Sequence, residues 1–141
     1  MTSYDTIFNR FLQKITDYKL LELSDNDVHQ MMNGWLKSSI AKFRRCKNDL
    51  SQRDDEIEMF TSDLEDIEIE ILAMLMVGEW LEPQLNSELY TSQFFGGKEE
   101  KFYAQSGQLD KLITLHTNNK LACQKLMRDY AYRQAMWSAE T

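Results

Sequence analysis

Residues 62–83, SDLEDIEIEILAMLMVGEWLEP, decide how the chain folds. Leu64, Ile67, Ile71, Met74, Leu75 and Gly78 recur at three- and four-residue spacings, the period of one helix face. Trp80 and Leu81 extend that surface. Asp63, Glu65 and Asp66 stand at its start, where carboxylates complement the positive end of a helix dipole. A helix therefore opens near Ser62 or Asp63. Pro83 disfavours the α conformation at Glu82, so a stop or kink is expected there. A shorter helical segment should follow from Pro83 to about Gln93, carrying Leu85, Leu89 and Tyr90.

Towards the N-terminus, Tyr4, Ile7, Phe8, Phe11, Leu12 and Ile15 predict an amphipathic helix, with Thr2 or Ser3 as its cap. A short apolar connector, Tyr18 to Leu23, leads to Ser24 and Asp27, a capping box in which Asp replaces the usual Glu or Gln. Val28, Met31, Met32, Trp35, Leu36, Ile40 and Phe43 form the next helical stripe. If Trp35 faces the core, Trp35→Ala should cost about 3–5 kcal/mol. The stripe ends in a basic patch of Lys37, Lys42, Arg44, Arg45 and Lys47. Residues 48–56 are polar and read as a loop, and Ile57, Met59 and Phe60 as a strand-like or irregular piece.

Towards the C-terminus, Phe94-Phe95-Gly96-Gly97-Lys98 is the strongest break in the chain and opens a loop reaching Ser106-Gly107. The final helix is expected from near Gln108, with Leu109, Leu112, Ile113, His116, Leu126, Met127 and Tyr130 inward. The predicted fold is all-α: one domain over residues 1–141, an irregular bundle of four to five helices, and a Gly-containing loop near residues 94–107.

Composition agrees. The chain has 141 residues, 43% of them hydrophobic, with one proline and five glycines, enough to bury a core without disulfides or metal. No apolar run approaches the roughly 20 residues of a membrane span, and the opening Met1-Thr2-Ser3-Tyr4-Asp5 shows no secretory signal. Cys46 and Cys123 stand far apart without a motif and are expected as free thiols of a reducing cytosol. Charge is segregated. Residues 1–48 carry eight Lys/Arg against five Asp/Glu, residues 49–100 two against fifteen, and residues 101–141 six against three. Such polarity suits self-association through opposed surfaces, or a solvated helix face.

No residue pattern predicts catalysis. Neither His29 nor His116 has a carboxylate three residues before it, as di-iron bundles need. The carboxylates of the 62–83 segment, Asp63, Asp66 and Glu70 on one side and Glu65 and Glu68 on another, lie between apolar positions and are expected as solvated faces. His116 is expected as a hydrogen-bonded core histidine and His29 as exposed. Gly96-Gly97-Lys98 lacks the spacing of a phosphate loop, and no Ser sits in a nucleophile elbow. Functional metal or nucleotide binding is therefore not expected. A pI of 4.8 weighs against nucleic-acid binding unless the basic patch is presented alone.

The runs Arg53-Asp54-Asp55-Glu56-Ile57-Glu58-Met59-Phe60, Leu64 through Ile71-Leu72-Ala73, and Trp80-Leu81-x-Pro83 resemble small virion proteins of tailed bacteriophages. So do Phe94-Phe95-Gly96-Gly97-Lys98 and Arg128-Asp129-Tyr130-x-Tyr132-Arg133. The resemblance is to head–tail connector, or neck, proteins and covers residues 5–133. It implies a helical adaptor, without cofactor or catalytic residues, that forms a dodecameric ring beneath the portal. Its partners would be the portal protein, tail or neck proteins and further copies of itself. DNA would pass without sequence-specific binding and no membrane would be involved. Its place would be the virion, with the host cytoplasm during assembly. This chain lacks the long basic or disordered C-terminal arm of some connectors. The residues expected at subunit or partner contacts are Lys42, Arg44, Arg45, Lys47, Asp63, Asp66, Glu70, Phe94, Phe95 and Lys98. A second reading is a small acidic inhibitor, a DNA mimic that occupies the basic groove of a nucleic-acid-processing protein.

Overall fold

The computed structural model describes the backbone of residues 1–15, 20, 22–95 and 99–140, and their side chains except those of 88–95, 99–108 and 138–140. Four helices stand out among the described residues: α1 (Tyr4–Lys14), α2 (Asp25–Lys42), α3 (Asp66–Phe95) and α4 (Glu99–Glu140). The first two start where the sequence says. Ser3 Oγ accepts the Asp5 N–H and Ser24 Oγ accepts the Asp27 N–H, each at 3.2 Å, satisfying donors that a helix start leaves open. In the connector between them Leu20 is buried, and residues 16–19 and 21 fall outside the described set.

The helix α3 is central and touches α1, α2 and α4. It therefore buries more than one stripe: Ile69, Ile71, Leu72, Ala73, Leu75, Met76 and Leu81 are all interior. From α1, Tyr4, Ile7, Phe8 and Phe11 join this core, and from α2, Met32 and Leu36. Trp35 is only half-buried, tilted against Phe11 with ring centroids 5.6 Å apart, and Met31 is exposed. The inward placement of Met31 is corrected, while Trp35 does pack against the core but is less buried than expected, the buried line of this stripe being Met32, Leu36 and Phe43.

Two expectations about breaks also change. The helix does not end at Pro83, and the separate segment from Pro83 to Gln93 is its continuation. Proline removes one backbone donor, but it sits at an exposed position just beyond buried Leu81. The loop expected over residues 94–107 shrinks likewise. Phe94 and Phe95 close α3, and residues 99–107 belong to α4, which starts well before Gln108. Residues 96–98 lie outside the described set. Contacts such as Asn119 Nδ2 to the Met74 carbonyl (3.0 Å) and Tyr130 Oη to Glu68 (2.7 Å) show α3 and α4 running antiparallel.

A small antiparallel sheet closes one end. Strand β1 (Thr2–Ser3) pairs with β3 (Met59–Phe60), which pairs with β2 (Arg53–Asp54), in the order β1-β3-β2. The strand-like reading of Met59-Phe60 holds, while Arg53-Asp54 is a strand where a loop was expected. Among the described residues no helix is long and apolar enough to cross a membrane.

Candidate functional site

The most unusual group in the core is Glu68, which is completely inaccessible to solvent. It was expected on a solvated face. Its carboxylate accepts four hydrogen bonds: from Cys46 Sγ (3.0 Å), Asn48 Nδ2 (2.7 Å), the Glu65 N–H (2.7 Å) and Tyr130 Oη (2.7 Å). The Glu65 bond is the carboxylate half of a capping box, a third-position Glu reaching back over the start of α3. Burial alone would raise the Glu68 pKa. The thiol, the backbone N–H, the phenol and the amide together outweigh burial and hold it below the ordinary carboxyl value.

This cluster is a latch. Its members come from the segment after α2, from the start of α3 and from the far part of α4. Tyr130 Oη accepts the Lys47 N–H at 2.8 Å while donating to Glu68, and its ring stacks edge-on to Phe43 at 5.3 Å. The chemistry it permits is limited. Burial, with the Glu68 charge added, pushes the Cys46 thiol up to about 12, so the sulfur stays protonated and is a donor, not a nucleophile. Burial likewise raises the Cys123 thiol to about 11, and both cysteines are free.

The latch fixes the basic segment against α4. Arg44, Arg45 and Lys47 are exposed, and among the described residues none of the three takes part in an ion pair. Arg45 shares a surface hollow of about 460 Å³ with Met127, Arg128, Ala131, Tyr132 and Ala135. Exposed apolar groups continue along α4, with Tyr132 65% and Trp137 67% accessible. A second hollow, about 390 Å³, lies between the end of α2, α3 and α4, lined by Lys42, Gly78, His116, Asn119 and Cys123 among others. His116 is half-buried at this rim; the expectation of a core histidine is corrected, since α4 is covered on one side only there.

The other expected contact residues are placed differently. Lys42 is paired with Glu79 of α3. Asp63 holds the N-terminal amine, Asp66 accepts from Arg10, and Glu70 is paired with Arg10 and Lys14. The amine beside Asp63 also lowers its pKa. The structure thus brings Arg44, Arg45 and Lys47 together on one segment, and ties the acidic trio to the N-terminal segment. Phe94 and Phe95 end α3 with undescribed side chains, and Lys98 lies outside the described residues. Sequence reasoning missed Glu68, Asn48 and Tyr132. The signal for Glu68 was present: it stands four residues after Leu64 and three and four before Ile71 and Leu72, on the face they bury.

What fold and site define together is a mostly helical protein with a buried carboxylate latch beneath a basic, partly apolar surface. No protein-family model, no curated protein and no solved structure matches this chain.

Proposed function

We propose that this protein is a structural assembly subunit, a head–tail connector of a tailed bacteriophage that forms a ring between portal and tail and extends the DNA channel. The observation that carries the assembly reading is the surface built on the latch: Arg44, Arg45 and Lys47, unpaired within the described chain, beside the hollow of Met127, Arg128 and Tyr132. Cations left without internal partners next to exposed aromatic and aliphatic groups are the composition of a protein–protein contact. The high pKa of Cys46 is in keeping with a non-catalytic role. The viral setting rests on the sequence resemblance alone. The DNA-mimic reading draws less support, because Asp66 and Glu70 are interleaved with Arg10 and Lys14 instead of forming an open acidic face.

Electron microscopy of the purified protein, alone at high concentration and mixed with portal-bearing capsids, tests the proposal. Rings, or density added beneath the portal, are expected. A protein that never decorates capsids but tightly inhibits a DNA-binding enzyme would overturn it.

A further inference from the structure

Away from the latch, three elements converge on a different chemistry. Asp5 in the first turn of α1, His29 in α2 and Glu58 between β2 and β3 each offer a donor atom, and these atoms all lie within 4.8 Å of one another. Among the described residues it is the only such group of three His, Cys, Asp or Glu side chains. Its members are far apart in sequence, so helical spacing could not reveal it. His29 Nε2 lies 2.7 Å from Glu58 Oε1, and its ring is held edge-on by Phe8, with centroids 5.4 Å apart at 88°. Glu58 has φ 53, a left-handed conformation uncommon outside glycine, and its carbonyl accepts the Tyr4 N–H at 3.0 Å. Asp5 is exposed.

We propose that Asp5, His29 and Glu58 form a binding site for a divalent ion of the zinc class. One imidazole nitrogen and two carboxylate oxygens are a three-ligand set for zinc, which takes water at a fourth, tetrahedral position. With bonds near 2.0 Å such ligand atoms stand about 3.3 Å apart, so Asp5 would close in by a rotamer change while the 2.7 Å His29–Glu58 contact opens slightly. The imidazole separates this site from magnesium and calcium sites, which are built from oxygen ligands. The ion would tie the start of α1 to α2 and to the β2–β3 turn, and would stabilise the folded chain by mass action. This site is independent of the assembly reading, and no capsid enters its test.

The competing explanation is a bare His29–Glu58 hydrogen bond, and Asp5→Asn separates the two because it leaves that bond intact. The untagged full-length protein, stripped with chelator, is titrated with zinc chloride by calorimetry and followed by thermal unfolding. One zinc per chain and a rise in Tm with zinc are expected. Asp5→Asn, His29→Gln and Glu58→Gln should each weaken zinc binding at least tenfold while circular dichroism stays that of the parent, and His116→Gln should bind as the parent does. Magnesium or calcium chloride at the same concentration should not raise Tm. No stoichiometric zinc, or zinc binding that survives Asp5→Asn unchanged, overturns the site, and an equal response to magnesium overturns the choice of ion.

Discussion

Glu68 shows how one side chain can decide the ordering of a whole region. A carboxylate buried without partners would not stay charged, but here four donors meet it. Glu68→Ala strands the Tyr130 hydroxyl, the Asn48 amide and the Glu65 N–H, and should cost about 3 kcal/mol or more in urea unfolding. Tyr130→Phe removes one donor and should cost about 1–2 kcal/mol. A pH dependence follows from the lowered pKa. The folded-state value lies below the ordinary 4.5, so the ionised group's contribution is complete above 4.5 and is lost as pH falls through the folded-state value. The stability gap between the parent and Glu68→Gln should therefore be widest near pH 7 and narrow towards pH 3. A gap that stays constant over that range would mean Glu68 is not held ionised in the fold. Trp35 is the contrasting residue: half-buried against Phe11, it should cost about 2 kcal/mol on truncation to Ala, less than a core tryptophan.

At the level of the helix, two glycines make a paired test. Gly34 lies in α2 with nothing within 4 Å of where a Cβ would stand, so Gly34→Ala should stabilise by about 0.5–1 kcal/mol through helix propensity alone. Gly78 lies in α3, where a Cβ would come within 2.8 Å of Asn119 Oδ1. The Asn119 amide bonds the Met74 carbonyl across the α3–α4 contact, so the same propensity gain is offset by about 1 kcal/mol of lost hydrogen bonding and by displaced packing. Gly78→Ala should be neutral or destabilising, and equal stabilisation by both substitutions would show that α3 and α4 do not approach closely there. The same elements mark what was legible in the sequence. Local signals read true: the Ser3 and Ser24 caps, the Tyr4–Phe11 stripe and the helical period after Leu64 all depend on neighbours within a turn. The continuation past Pro83 did not, because packing of α4 along α3 outweighs a local propensity. The latch and the Asp5–His29–Glu58 group stayed hidden for a related reason. Their members come from segments tens of residues apart, and only the fold brings them into contact.

For the whole molecule, part of the segregated charge of the sequence is used within the chain. Arg10 and Lys14 of α1 meet Asp66 and Glu70 of α3, Lys42 of α2 meets Glu79, and the N-terminal amine meets Asp63. These are surface pairs, each worth little alone. Among the described residues Arg44, Arg45 and Lys47 take part in none of them, nor do Lys111, Lys120, Lys125, Arg128 and Arg133 of α4; the first three are anchored from beneath through the Lys47 N–H bond to Tyr130. If this surface meets another subunit or the portal, then the double variant Arg44→Glu, Arg45→Glu should fold with parental stability, within about 0.5 kcal/mol, because neither side chain has an ion-pair partner among the described residues. Its association with capsids, or its ring formation at high concentration, should fall at least tenfold. Salt should act the same way on the parent, since the screening length falls from about 10 Å at 0.1 M to about 3 Å at 1 M. Lys42→Glu is the internal control: facing Glu79, it should lower folding stability, a signature the Arg44 and Arg45 changes lack. Sedimentation and microscopy over a salt series read both effects. If the double variant decorates capsids as well as the parent at every salt concentration, the contact lies elsewhere, with the apolar groups of α4 around Tyr132 next to be tested.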